Sequence, residues 1–424
     1  MKSKKILSCT IMILCIVSLF SCVYSKNYGN CGTEGDYGNN VKWKLDEDGT
    51  LTISGKGKMA SYIIGDAKWA SKSKKDTIKK VVIEDGVTNI GVDAFYECSN
   101  ITEIDIPDSV TEIGMYAFYG CSSLQEVTIP DNVTTIEENT FERCESLEKV
   151  VIPDGVQTIG KNAFLLCKSL TEINIPDSVE TIGESAFAVC TGFTEINIPD
   201  SVKTIGESAF AGCENLKKVT IPENFTEFEK GVFGNTEFLN QYARKNQPLI
   251  INNIVVDGSN CTGKVIIPDG VTEIGKEAFA GREYYYEDES VVSVVLPDSV
   301  RIIRAGAFAY CRDLEDINFP EGLKIIESSA FYGCGNMSFI AVLPESLEEI
   351  HSLGYNVTSI VVLNPDLDIS FFHIDNRPDW AKIYCPRGSK AQEYAEESGY
   401  EYILLDEMQD VNEFVISNLY DFEY

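Results

Sequence analysis

The chain has 424 residues, 44% of them hydrophobic and 10% aromatic, which is ample for a buried core and excludes disorder as its default state. Acidic residues outnumber basic ones 66 to 35, a net charge of −31. A field of that sign repels nucleic acid and anionic membrane and favours cationic partners or divalent ions.

In chain order, residues 1–25 read as an export signal: Lys2, Lys4 and Lys5 precede an apolar stretch over 6–20 that is too short to span a bilayer comfortably. Two processing routes are open. Val23-Tyr24-Ser25 suits cleavage before Lys26, and Leu19-Phe20-Ser21-Cys22 approximates a lipobox that would place a lipid anchor on Cys22. No later stretch reaches 18 apolar residues, so no transmembrane span is expected. Residues 26–77 form a β-rich segment in which Leu51 and Ile53 alternate after an Asp48-Gly49 turn, the pattern of a hairpin.

From residue 78 to 385 the chain repeats. Pro recurs at 107, 130, 153, 176, 199 and 222, Phe at 95, 118, 141, 164, 187, 210 and 233, and Cys at 98, 121, 144, 167, 190 and 213, all with a step of 23. Three residue types sharing one period identify about a dozen stacked units, a repeat solenoid of the leucine-rich type. Leu170, Ile173 and Ile175 have the spacing of a strand that points alternate side chains inward. Pro176 and Asp177 turn the chain, Val179 and Ile182 suggest a second short strand, and Gly183 suggests a tight corner. Ala186, Phe187 and Cys190 at one-turn spacing suggest a short helical turn. The period is interrupted twice, by an irregular unit over 234–260 and by an insertion over 281–290. Residues 386–424 read as a C-terminal cap helix and an acidic tail.

The cysteine column reads as packing rather than as disulfides or a zinc site, because side chains stacked on parallel coils do not converge. The aspartate column (Asp108, Asp131, Asp154, Asp177, Asp200, Asp269, Asp298) reads as turn chemistry rather than a calcium edge. No metal site and no cofactor is expected. The outward positions of the strand face are the binding candidates: Glu103, Asp105, Glu126, Thr128, Glu172, Asn174, Glu195 and Asn197. The insertion adds Tyr284, Tyr285 and Tyr286, side chains that anchor interfaces well. Catalytic signals are thin. The two histidines, His351 and His373, lie where the repeat decays, and Ser71 with Lys74 lacks the partners of a nucleophile.

The unit Ile-Pro-x-x-Val-x-x-Ile-Gly-x-x-Ala-Phe-x-x-Cys-x-x-Leu resembles that of the BspA-like leucine-rich repeat family of secreted and surface proteins. The resemblance covers residues 78–385, and both flanks are similar to the segments that cap such arrays. It implies a non-enzymatic, exported protein that adheres to host, matrix or neighbouring-cell proteins. The other reading it leaves open is a glycan-binding or envelope-structural protein.

Overall fold

A computed structural model describes residues 27–32, 40–223, 225–243, 246–281, 291–334, 340–351, 353, 359–370 and 382–408. The expected export signal with Cys22, residues 282–290 with the three tyrosines, and His373 therefore lie outside the described residues. The chain divides into two compact units, 1–202 and 203–424, which between them hold about 13 turns of parallel-strand solenoid.

In chain order unit 1 contains β1 (Tyr28–Asn30), β2 (Val41–Leu45), β3 (Thr50–Gly55), β4 (Gly57–Lys58), β5 (Lys80–Ile83), β6 (Val87–Ile90) and β7 (Glu103–Asp105). There follow β8 (Glu112–Ile113), β9 (Glu126–Thr128), β10 (Thr135–Ile136), β11 (Lys149–Val151), β12 (Thr158–Ile159), β13 (Thr181–Ile182) and β14 (Glu195–Asn197). The expected hairpin is present: β2 and β3 pair antiparallel about the Asp48-Gly49 turn, where Gly49 takes φ 91° and Asp48 accepts from the Thr50 N–H. β3 then pairs parallel with β5, and β5 with β7, so the hairpin leads directly into the stacked coils.

Each coil crosses the stack in two parallel lanes. One lane runs through β9 and β11, with Glu126 opposite Lys149 and Thr128 opposite Val151. The other runs through β10, β12 and β13, with Ile136, Ile159 and Ile182 in register. Every partner is offset by one repeat, so the sequence period and the strand register are the same number. The segment over 172–174 follows the first lane without forming a regular strand.

A third lane is built from turns. The one-turn spacing of Ala186, Phe187 and Cys190 is met by successive tight turns, in which Ala186 N–H donates to Gly183 and Cys190 N–H to Phe187. Ser185 and Val189 adopt left-handed backbone (φ 52° and 59°), as do Asn162 and Leu166 one coil earlier. Alternate N–H groups then donate to the next coil: Asn162 to Glu184, Phe164 to Ala186 and Leu166 to Ala188. The turn lane is thus hydrogen-bonded between coils, as the strand lanes are.

The core of unit 1 is a stack of rings. Trp69, Phe95, Phe118, Phe141, Phe164 and Phe187 are fully buried, with successive centroids 5.3–5.6 Å apart. Phe164 and Phe187 are nearly parallel, at 2°. Burying one such ring stabilises by about 1.5–3 kcal/mol, and neighbours make that burial available to units too small to achieve it alone. Trp69 takes the phenylalanine place in the first coil, outside the 23-residue register.

Unit 2 contains β15 (Thr204–Ile205), β16 (Lys218–Thr220), β17 (Leu249–Ile251), β18 (Ile254–Asp257), β19 (Gly263–Ile266), β20 (Glu273–Ile274), β21 (Val291–Val295) and β22 (Ile302–Ile303). Then come β23 (Asp316–Ile317), β24 (Ile325–Ile326), β25 (Ile340–Leu343), β26 (Glu349–Ile350), β27 (Ser359–Val362), β28 (Lys382–Cys385) and β29 (Glu401–Leu404). The irregular unit is a helix, Glu237–Ala243, followed by an antiparallel β17–β18 pair, after which β18 resumes parallel stacking with β20. The insertion leaves the ladder intact: β19 pairs with β21, and the rings of Phe279 and Phe308 stack at 5.1 Å. At the C-terminal flank a helix, Lys390–Ser398, is capped by Ser389 and by left-handed Gly399. It is not the last element before the tail, because β29 follows it and adds parallel to β28.

Candidate interaction surface

The outward strand positions are set by the two-residue alternation of an extended chain. Ile104 and Val127 point inward and are buried, so Glu103 and Asp105 on β7 and Glu126 and Thr128 on β9 point out and are exposed. Glu195 and Asn197 flank buried Ile196 in the same way on β14. Glu172 and Asn174 are exposed too. All eight candidates thus lie on the same strand-face lane of unit 1, and four of them converge: Glu103, Asp105, Glu126 and Thr128 line one shallow depression, with Asp85 and Pro107 also in its lining.

Lys80, in register with Glu103 on the neighbouring β5, bridges Glu103 and, at 3.0 Å, Asp105. The Glu103 hydrogen bond, with Asp105 adding to it, holds the Lys80 ammonium above its ordinary pKa. Exposed pairs of this kind contribute little to stability. The depression therefore keeps a negative balance, Asp85 and Glu126 being additional to the two carboxylates that Lys80 serves. Val151, 42% exposed on the next strand, adds an apolar point to the same lane.

The other sequence candidates fall into structural roles. Eleven described cysteines are free and buried. In the ladder of unit 1 four thiols donate to the phenylalanine carbonyl one coil back: Cys121 to Phe95, Cys144 to Phe118, Cys167 to Phe141 and Cys190 to Phe164, at 3.2–3.3 Å. Burial pushes Cys98 and Cys311 up to about 12, far from a reactive thiolate. The aspartate turns close through backbone, Val110 N–H to Pro107 and Val179 N–H to Pro176. Where a serine follows the aspartate, it has a role that the repeat pattern alone does not reveal. Ser178 Oγ donates to Val156 and Ser201 Oγ to Val179, tying turn to turn. Among the described residues no three His, Cys, Asp or Glu side chains are grouped to hold a metal ion, and no helix is long and apolar enough to cross a membrane. His351 lies against Glu349 at the exposed surface, and the Lys74 ammonium stands 5.0 Å over the Trp43 ring.

Parallel coils of about 23 residues, an inner ladder of Phe and Cys, and a regular polar strand face together define a leucine-rich-repeat-type solenoid. The chain belongs to the BspA type leucine-rich repeat region family, whose model matches residues 71–192, 158–284 and 281–364. Among solved structures it is similar to a leucine-rich cell surface protein from Faecalibacterium prausnitzii, with 26% identity over 90% of this chain and 96% of that one at a TM-score of 0.41. It is also similar to a leucine-rich repeat protein from Bacteroides ovatus (20% identity, 86% and 98% covered, TM-score 0.37) and to the pneumococcal vaccine antigen PcpA (14%, 89% and 98%, 0.39). No curated protein matches the sequence.

Proposed function

We propose that the chain is an exported, surface-located interaction protein that binds other proteins through the strand face of unit 1, centred on the depression at Glu103, Asp105, Glu126 and Thr128. The observation that carries this reading is the convergence of four outward side chains into one concave, negatively balanced patch on an otherwise regular lane. Solenoids use such extended faces for large ligands, and family membership supports an interaction role rather than catalysis. A partner with a basic, extended segment suits the charge. Tyr284, Tyr285 and Tyr286 are proposed as a second contact on the insertion.

The test is surface plasmon resonance of the full chain against purified matrix and cell-surface proteins, beside a glycan array. The triple variant Glu103→Gln, Asp105→Asn, Glu126→Gln is expected to weaken any captured protein at least about tenfold, the equivalent of about 1.4 kcal/mol. Undiminished binding by that variant would remove the strand face from the account, and a response confined to glycans would replace the protein-binding reading. Mass spectrometry of the mature N-terminus tests export, with lipid on Cys22 or a free Lys26 as the two supporting results and an intact Met1 as the opposing one.

A further inference from the structure

Asp93 departs from its column in the turn lane. It occupies the first left-handed position of its coil (φ 54°), where the following coils of unit 1 carry Tyr116, Asn139, Asn162 and Ser185. It is only 7% exposed, and its Oδ1 has no hydrogen-bond partner among the described residues. The equivalent asparagines answer each other, Asn162 Nδ2 donating to Asn139 Oδ1 at 2.9 Å. A carboxylate buried without such an answer is costly, and folded chains ordinarily avoid it.

On the same lane, three residues on and one coil away, lies an aromatic cluster. The rings of Tyr96 and Tyr119 stack one coil apart, 4.7 Å between centroids and 3° from parallel, and Tyr116 tilts against Tyr119 at 5.9 Å. All three are partly exposed. Burial raises the Tyr96 and Tyr116 hydroxyls, and nearby carboxylates add to it: Glu97, Asp93 and Glu142 at Tyr96, and Glu138, Glu142 and Asp93 at Tyr116. Of these, Glu97 is paired with Lys75 at 3.2 Å and Glu138 accepts from Asn139, while the charge of Arg143 acts on Glu142. Asp93 is the one that combines deep burial with an oxygen left without a donor.

We propose that Asp93 with Tyr96, Tyr116 and Tyr119 forms a niche for a guanidinium or ammonium side chain from a basic segment of a partner protein. A cation so placed supplies the missing donor to Oδ1 and lies against polarised ring faces, which attract positive charge more strongly where water is excluded. A divalent metal is not matched by this set, because hard cations want six or more oxygens and a single carboxylate leads here. A neutral sugar could donate a hydroxyl but would leave the surrounding carboxylates uncompensated. The niche lies on the turn lane, whereas Glu103 and Glu126 lie on the strand lane, so the two sites can fail independently.

The experiment titrates the full chain with a labelled nona-arginine peptide and, separately, with neutral oligosaccharides, following anisotropy and thermal unfolding. Asp93→Asn keeps shape and tolerates the left-handed backbone. It is expected to weaken the peptide about tenfold while raising the melting temperature of the free chain by about 2–4 °C, because a buried charge is removed. Tyr119→Leu is expected to weaken the peptide several-fold with the fold retained, whereas the strand-face triple variant keeps an Asp93-dependent component of binding. Peptide binding unchanged in Asp93→Asn, a lowered melting temperature for that variant, or neutral oligosaccharides bound with the same dependence on Asp93 would each overturn the proposal.

Discussion

The thiol of Cys144 donates to the carbonyl oxygen of Phe118, 3.3 Å away and one coil back. The bond joins two of the three residue types that carry the period, and it explains why the column is cysteine rather than alanine. Sulfur reaches a carbonyl that the shorter Cβ–O bond of serine would not approach as closely, and the small thiol still fits beside the ring stack.

From that geometry Cys144→Ala is expected to cost about 1–2 kcal/mol and Cys144→Ser at least as much, since serine would bury a hydroxyl at a poor distance from its acceptor. Urea unfolding of the two variants decides it. Serine more stable than alanine would show that a hydroxyl can serve in the thiol's place. The thiols of the ladder are also expected to resist alkylation in the native chain, because burial raises their pKa values, and to react fully only after unfolding. Reducing agent should leave the melting temperature unchanged.

Gly183 suggests a corner by sequence, but its φ is not in the left-handed region that favours glycine, and its role is close approach. A Cβ there would come within 2.7 Å of the Gly160 carbonyl carbon and of the Lys161 nitrogen on the preceding coil. Gly183→Ala is therefore expected to force the coils apart and cost about 1–3 kcal/mol. Gly270 makes the control. It has φ 90° and open space where a Cβ would stand, so Gly270→Asn should cost little. Equal losses at both positions would contradict this division of roles.

Deleting the six residues 284–289 and rejoining Glu283 to Ser290 restores the 23-residue step between Phe279 and Phe308 and tests whether the insertion is independent of the core. The flanking strands already pair across it, Lys264 with Ser293, and Phe279 stacks on Phe308. The melting temperature is expected to stay within a few degrees of the parent, as loop length contributes weakly to stability. A collapse of the transition would mean that the tyrosines support the solenoid rather than a partner.

The fold was legible because the solenoid repeats its register in its sequence: Phe164 and Phe187 are 23 residues apart and stack for that reason. The outward strand face was legible for the same reason, since Glu103 and Asp105 flank an apolar residue. The turn lane was not. A spacing of three between Phe187 and Cys190 fits a helical turn and a pair of tight turns equally, and in that coil the left-handed residues are Ser185 and Val189, which do not mark positive φ as Gly120 and Gly212 do at the Val189 place of other coils. Trp69 escaped because it fills the phenylalanine place outside the 23-residue step. Asp93 escaped because an aspartate without a donor looks like any other in a chain with 66 acidic residues.

The unpaired carboxylate of Asp93 has a pH signature with a definite sign. Burial raises its pKa above the ordinary 3.8. Below 3.8 the group is protonated in folded and unfolded chains alike, so it costs the fold nothing through ionisation. As pH rises from there toward the raised folded value, the unfolded chain releases its proton first, and the folded state loses stability relative to it. Above the folded pKa the penalty is complete. The stability advantage of Asp93→Asn over the parent should therefore be smallest in acid, grow through the window that starts near 3.8, and reach a plateau at neutral pH. Parallel urea titrations of parent and variant across that range measure it. The other carboxylates are present in both proteins, so their contributions cancel to first order in the difference. An advantage that is constant with pH would mean that the charge at Asp93 is not what the variant relieves. Saturating basic peptide should shrink the advantage at neutral pH, because the bound cation stabilises the parent in proportion to how much more tightly the parent holds it.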